Sequence, residues 1–221
     1  MSKKIEIEGL TKDQLKNLQE MRTQHAELFG WVIDDVVSKR TCREIINYGR
    51  PTLKPATTFA PVIQNYRTNW ASRTEYGNNK SVDKVYDLVR DFTQVPIKNF
   101  EKMQIVHYKS GQYYKEHFDF LIPNQEYYEK QMKMGGQRIW TAFLYLNDVS
   151  NGGETYLRKA WIRGQGQGFK IKPQAGRMVL WMNMIDGKTI NNSLHEALPP
   201  IDCEKWGAVI WIREKKYEQE N

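Results

Sequence analysis

The sequence predicts a single α+β domain: an antiparallel β-sandwich or barrel with helices laid on one outer face. Three observations lead there. The first hundred residues carry amphipathic patterns of helical period. The chain after Pro96 carries short apolar runs of strand length, and no helical pattern separates those runs. The 221 residues suffice for one sizeable domain, and a hydrophobic content of 40% with 12% aromatics suits a packed core.

Each element has a local reason. Thr11 and Gln14 have the spacing of a capping box, and Leu15, Leu18 and Met21 follow at helical intervals. This first helix would carry His25 toward solvent. Ser38 is placed to cap a second helix bearing Cys42, Ile45 and Ile46. A third is expected from Ser81 to Phe92, with Val82, Val85, Val89 and Phe92 as its apolar stripe. Between the last two, Arg50 to Lys80 reads as irregular and contains the turn signal Gly77-Asn78-Asn79. Four strands follow: MQIVHY, IWTAFLYL, RMVLWMN and WGAVIWI, each bounded by Gly, Pro, Asn or Lys. No repeat or sharp change of composition divides the chain. Residues 1–221 are therefore expected to form one domain, with a helical part over about 1–95 and a β core over about 96–215.

Composition narrows the function. No run of about 18 apolar residues is present, so no membrane-spanning helix or membrane partner is expected. The N-terminal MSKKIEIEGL lacks the apolar stretch of a secretory signal, and the two cysteines, Cys42 and Cys203, are expected as free thiols. A cytoplasmic location is the expectation. The net charge of +7 would suit a nucleic-acid partner or a site that attracts small dianions. Acidic residues are interspersed and no run of five like charges occurs, so nucleic acid is the less favoured partner.

His117-Phe118-Asp119 places two ligand-type side chains at i and i+2, which on a strand point to one face and can reach one ion. A third ligand must come from elsewhere. Besides His117 the chain has three histidines: His25, His107 on the MQIVHY strand, and His195 near a Pro-bounded run. Two histidines and one carboxylate make the facial triad that leaves positions open on Fe(II) for substrate and oxygen. An H-x-D triplet alone is a weak signal, and its surroundings carry the argument.

The stretch from Tyr108 through Gly111, Tyr114 and His117 to Asp119 resembles the Y-x-x-G-x-x-Y-x-x-H-x-D signature of the prolyl 4-hydroxylase family. Further matches follow in the family's order. Glu101 and Gln104 precede the signature. Arg138, Thr141 and Tyr145 fit an R-x-x-T-x-x-x-Y-L strand, and Gly152-Gly153-Glu154-Thr155 fits G-G-E-T. Lys172-Pro173 and Gly176 fit k-P-x-x-G. Asn192 to His195 fits the distal-histidine segment, Lys205-Trp206 follows it, and Trp211 and Arg213 fit the closing strand. The resemblance runs from about Phe29 to Arg213.

It implies a double-stranded β-helix (jelly-roll) core with the N-terminal helices packed on one sheet. It also implies an Fe(II)- and 2-oxoglutarate-dependent dioxygenase that hydroxylates peptidyl proline, at C4 by family analogy, releasing succinate and carbon dioxide. Fe(II) would be held by His117, Asp119 and His195, with 2-oxoglutarate and O2 as co-substrates and ascorbate as reductant. Lys205 and Tyr108 match positions that hold the co-substrate's distal carboxylate, with Thr155 or Thr141 as further contacts. Tyr114 and Trp211 match residues lining the groove for a proline-containing peptide, and Arg138, Glu101 and Gln104 are additional substrate candidates. The stretches around 67–80 and 121–137 would be lids or plain surface loops.

The stretch between Leu157 and Phe169, carrying the run RKAWIRGQGQGFK (158–170), departs from the family pattern and reads as a flexible loop. Gly164, Gly166 and Gly168 do not make a dinucleotide fingerprint there, because no strand-to-helix turn surrounds them. Two alternatives stand beside the main reading. A same-fold oxygenase of nucleic-acid bases would suit the charge, but such enzymes hold the co-substrate with arginine where this chain has Lys205. A catalytically silent peptide-binding module would be expected to lack a ligand, and none is missing.

Overall fold

The computed structural model describes residues 18–23, 25, 28–57, 66–162 and 166–218. In chain order they form strands β1 (Gln19–Arg22) and β2 (Leu28–Ile33), helix α1 (Lys39–Gly49), and strands β3 (Lys54–Pro55) and β4 (Trp70–Thr74). Helix α2 (Lys80–Thr93) and strands β5 (Met103–Tyr108) and β6 (Tyr114–His117) come next. Helix α3 (Tyr128–Lys133) then leads into β7 (Arg138–Tyr145), β8 (Thr155–Ile162), β9 (Gly166–Ile171) and β10 (Met178–Met182). The last strands are β11 (Met184–Ile185), β12 (Lys188–Thr189), β13 (His195–Ala197) and β14 (Lys205–Arg213).

All pairings are antiparallel. Among the described residues one sheet runs in the order β3-β4-β5-β14-β7-β10-β2-β1-β8-β13-β6, with β9 paired to β8. It folds back on itself between β1 and β8. Leu157, Ala160 and Ile171 of the short layer thus pack against Phe29, Tyr145, Val179 and Trp181 of the long one. This is the double-stranded β-helix.

Side-chain alternation along β14 sorts its two faces. Trp206, Ala208, Ile210 and Ile212 meet Cys42, Ile45 and Ile46 of α1 and Val82, Val85, Val89 and Phe92 of α2. Lys205, Gly207, Val209, Trp211 and Arg213 face inward. Helices therefore cover one sheet and leave the interior of the roll for a site.

Several expectations need correction. The proposed first helix lies outside the described residues through 17, and from Gln19 the chain is a strand. Met21 is fully buried and pairs with Gly30 of β2. Pairing with the apolar run LFGWVI outweighs the local helical spacing. His25 sits in the turn between these strands, exposed, rather than on a helix. The stretch read as helical thus also supplies four strands. Helix α1 is capped by Ser38, whose Oγ accepts from Thr41 N at 3.1 Å, as expected. Helix α2 runs one residue beyond the expected Ser81–Phe92 at each end and is capped by Asn79.

Where it is described, the run from 157 to 169, expected as a flexible loop, is strand. Its described part belongs to the β8–β9 hairpin, with Leu157 opposite Phe169 and Trp161 opposite Gln167. A register shift between Leu157 and Trp161, with Gly168 at φ +85°, breaks the strict alternation. No helix among the described residues is long and apolar enough to cross a membrane. Cys42 and Cys203 are free thiols.

Candidate metal centre and co-substrate pocket

The site is assembled where the short layer meets the inner face of the long one. Antiparallel pairing of β6 with β13 sets His117 opposite His195 in register, and the chain turns after β6 to bring Asp119 beside both. Nε2 of His117 lies 3.8 Å from Oδ1 of Asp119, and Nε2 of His195 lies 3.6 Å from its Oδ2. The three ligand atoms fall within 4.8 Å of one another, and this is the one such His/Cys/Asp/Glu group among the described residues. The two imidazoles are tilted by 56°, with ring centres 4.2 Å apart.

Backbone carbonyls fix what each ring presents. Nδ1 of His117 is 2.7 Å from Lys115 O, and Nδ1 of His195 is 2.8 Å from Ser193 O. A carbonyl can only accept, so Nδ1 carries the proton and both Nε2 lone pairs turn toward Asp119. Burial, reinforced by the neighbouring His195, pushes the His117 imidazolium down to about 3, so the ring is neutral at physiological pH. Burial opposes charge on Asp119, but His195, His117, Arg138 and the Thr141 hydroxyl hold its carboxyl below the usual range. Two imidazoles presenting Nε2 beside an ionised carboxylate form the donor set that Fe(II) accepts.

Thr141, expected against the co-substrate, donates its hydroxyl to Asp119 Oδ2 at 2.8 Å and accepts from Asn183 Nδ2 at 2.9 Å. Asn183 in turn accepts from Trp181 Nε1 at 3.1 Å. This buried chain orients the carboxylate. Sequence reading missed Asn183 and Trp181; the only cue was a polar residue ending the apolar run RMVLWMN.

Beyond the triad lies a small inner cavity lined by Tyr108, Thr155, Phe143 and Lys205. Lys205 is wholly buried, and its Nζ has no hydrogen-bond partner. It sits 5.1, 5.3 and 5.5 Å from the ring centres of Tyr108, Phe143 and Tyr145. Tyr108 is its register partner across β5 and β14. Gly207 makes room for this cage, because a Cβ there would drive into the Phe143 ring. Thr155 Oγ1 accepts from the Tyr145 hydroxyl at 2.6 Å. Burial depresses Lys205 to about 7, opposed by the charge of Glu154. A buried ammonium without a partner is costly, and an anionic ligand in the cavity would relieve that cost.

An open groove of about 340 Å³ leads outward from the triad. Tyr114, Trp211, Arg138 and Gln104 line it. Tyr114 stacks on His117 with ring centres 3.6 Å apart. Trp211 is buried under the Arg138 guanidinium, 4.0 Å from its ring centre, and its Nε1 has no partner. Glu101 is not on the groove. Its carboxylate accepts from Arg138 at 2.6 and 2.8 Å and from Arg213 at 2.6 Å, a buried ionic cluster beneath the wall.

Arg67, overlooked in the sequence, lines both groove and inner cavity and lies 4.7 Å from the Tyr114 ring centre. Of the segments considered as lids, 70–74 is a sheet strand, whereas Leu121, Ile122, Gln125 and Tyr127 border the groove. His107 points to the helix side, stacked on Trp206 at 4.1 Å and bonded to Glu204, away from the triad.

Comparison with known proteins agrees with this architecture. Residues 103–213 match the family model described as the 2OG-Fe(II) oxygenase superfamily. Probable prolyl 4-hydroxylase 6 of Arabidopsis thaliana is 31% identical over 199 residues, 82% of this chain and 67% of that protein. Probable prolyl 4-hydroxylase 10 of the same plant is 28% identical over 216 residues, 87% of this chain and 73% of that one. Among solved structures, the viral collagen prolyl hydroxylase of Paramecium Bursaria Chlorella virus-1, crystallised as its 2OG complex, superposes with a TM-score of 0.65. It shares 26% identity, and the match covers 84% of this chain and 96% of that one. The ordered motifs, the roll and the matched relatives converge: the chain belongs to the prolyl 4-hydroxylase family of 2OG-Fe(II) oxygenases.

Proposed function

We propose that this enzyme hydroxylates proline in peptides or proteins, with Fe(II) held by His117, Asp119 and His195 and 2-oxoglutarate anchored by Lys205. The observation that carries the reading is the pairing of a converged His/Asp/His donor set with a buried, unpartnered ammonium in the adjoining cavity. When bound, iron and 2-oxoglutarate would activate O2, one oxygen atom entering the substrate C–H bond as C–OH and the other entering succinate as carbon dioxide is lost.

The protein's part is positioning. Lys115 and Ser193 carbonyls aim the two Nε2 lone pairs, and the Trp181–Asn183–Thr141 chain holds Asp119 in its rotamer. The Lys205 cage excludes water, so one charge-assisted bond to a carboxylate there contributes about 1.5–3 kcal/mol. Tyr108 borders the same cavity and completes the recognition of that carboxylate. Tyr114 and Trp211 offer aromatic surface and one unpaired N–H to an extended, proline-rich chain, which binds with little ordering cost.

Ascorbate is the reductant we assign, by analogy with the family, for keeping the iron ferrous. A cytoplasmic setting is the one we assign, since both cysteines are free thiols. The test is mass spectrometry of proline-rich peptide libraries incubated with enzyme, Fe(II), 2-oxoglutarate and O2. A proline residue should gain one oxygen atom as succinate appears. Oxygen gained by an oligonucleotide, with every peptide unmodified, would refute the prolyl assignment.

A further inference from the structure

Resting on the prolyl reading, we infer that the groove selects peptides carrying an acidic residue near the target proline, and that Arg73 and Arg67 read its carboxylate. The charges lining the groove are not balanced. Its ionisable residues, besides His117 and the three tyrosines, are Arg67, Arg73, Arg138, Glu116 and Asp119. Four of these five have their charge or hydrogen-bonding capacity engaged to differing degrees. Arg138 is answered by buried Glu101. Glu116 pairs with Arg158, outside the groove, at 3.1 Å. Asp119 faces two imidazoles and is the metal-ligand candidate.

Arg67 has no acidic partner among the described residues. It holds neutral groups only: Asn69 Oδ1 at 2.7 Å, Gln104 Oε1 at 3.3 Å, Thr57 O at 3.4 Å and the Tyr114 face. The Arg73 side chain, exposed on β4, has neither an acidic partner nor a hydrogen bond among the described residues. Gln104, bonded to Arg67, is the register partner of Arg73. The two guanidinium-bearing residues therefore flank Gln104 along one wall, beside the aromatic surface of Tyr114 and Trp211.

The split matches a ligand of two chemistries. The aromatic surface takes a proline ring, and the cationic wall takes carboxylate. Polyproline-type helices have about three residues per turn, so every third side chain faces the same wall. Arg67 borders both the inner cavity and the groove, whereas Arg73 borders the groove alone. Arg73 thus reads residues farther from the oxidised carbon. Arginine suits the task, since its planar fork meets a carboxylate bidentately.

The experiment compares matched proline-rich peptides that carry Asp, Asn or Lys at positions scanned either side of the target. With wild-type enzyme, kcat/KM should be about five- to tenfold higher for the best Asp peptide than for its Asn counterpart, mostly through KM, with Lys lowest. Raised ionic strength should compress that order. Arg73→Glu should invert it, favouring Lys over Asp. Equal kcat/KM for Asp and Lys peptides in the wild type, or an unaltered order in the variant, would overturn the inference. Should Arg73→Glu fail to fold, the salt dependence of the wild-type ratio decides, and an insensitive ratio is a refutation. Hydroxylation of the Asn peptide without any charge preference defeats this inference alone. Failure of all three peptides while 2-oxoglutarate is still turned over defeats the prolyl reading along with it.

Discussion

Strand β14 carries a buried cation at each end, on the same inward face, and the two are treated in opposite ways. Arg213 is saturated. Its guanidinium donates to Glu101, to the Gln131 side chain and carbonyl, and to the Gly136 carbonyl at 2.6–3.2 Å. The ammonium of Lys205, equally buried, donates to nothing. A folded chain rarely tolerates a buried charge without a partner, and the saturated end is what structure alone requires. The unsatisfied end is half of an interaction, and its other half is a ligand. Burial by itself does not separate the two roles; the hydrogen-bond inventory does.

Mutation should pull the two ends apart, and the largest effect belongs to Arg213. Arg213→Met strands Glu101, which retains only Arg138, and should lower unfolding stability by about 3–5 kcal/mol in denaturant titration. A loss under 1 kcal/mol would mean the cluster is not structural. Lys205→Met should do the reverse. It removes an unpaired ammonium, so the ligand-free protein should melt no lower than wild type. Its 2-oxoglutarate dissociation constant should rise roughly 10- to 150-fold. Calorimetric titration reads both, and unchanged co-substrate affinity would end the anchoring role.

A smaller effect is expected one layer out. Thr141→Val keeps the shape but removes the proton given to Asp119, and Fe(II) affinity should fall about 10- to 100-fold with the fold intact. Smaller still is the pH signature of Lys205. Its folded pKa, near 7, is below the ordinary 10.5, so between those values the unfolded chain binds the extra proton. Ligand-free stability should therefore rise with pH from about 7 to 10.5, a slope absent in Lys205→Met. In the same window 2-oxoglutarate binding should take up a proton, seen as a buffer-dependent enthalpy.

The sequence reached far into this molecule where information is local or ordered. The four strands after Pro96, the Ser38 cap and the stripe of α2 follow from period and capping chemistry. His117 and Asp119 follow from strand alternation, and His195 and Lys205 from motif order. What stayed hidden depends on distant pairing. Strand β1 reads as helix until β2 is set beside it. The β8–β9 hairpin is disguised by a bulge and by charged residues on its open face, such as Arg158 and Lys159. Asn183 acquires meaning only when β10 lies against β7 and its amide reaches Thr141. Glu101 and Arg138 were legible as significant, but not as partners of each other and of Arg213. Arg67 sits in irregular chain, where no period points to a face.

Labelled dioxygen gives the most direct test of the central claim, that the His117, Asp119 and His195 centre couples 2-oxoglutarate to oxygenation of a prolyl residue. With isotopically labelled O2 and a proline-rich peptide, wild-type enzyme should place one labelled atom in hydroxyproline and the other in succinate, in equal amounts. Asp119→Ala, still folded, should form neither product. Hydroxyl oxygen drawn from water, or labelled hydroxyproline from Asp119→Ala at the wild-type rate, would contradict the account.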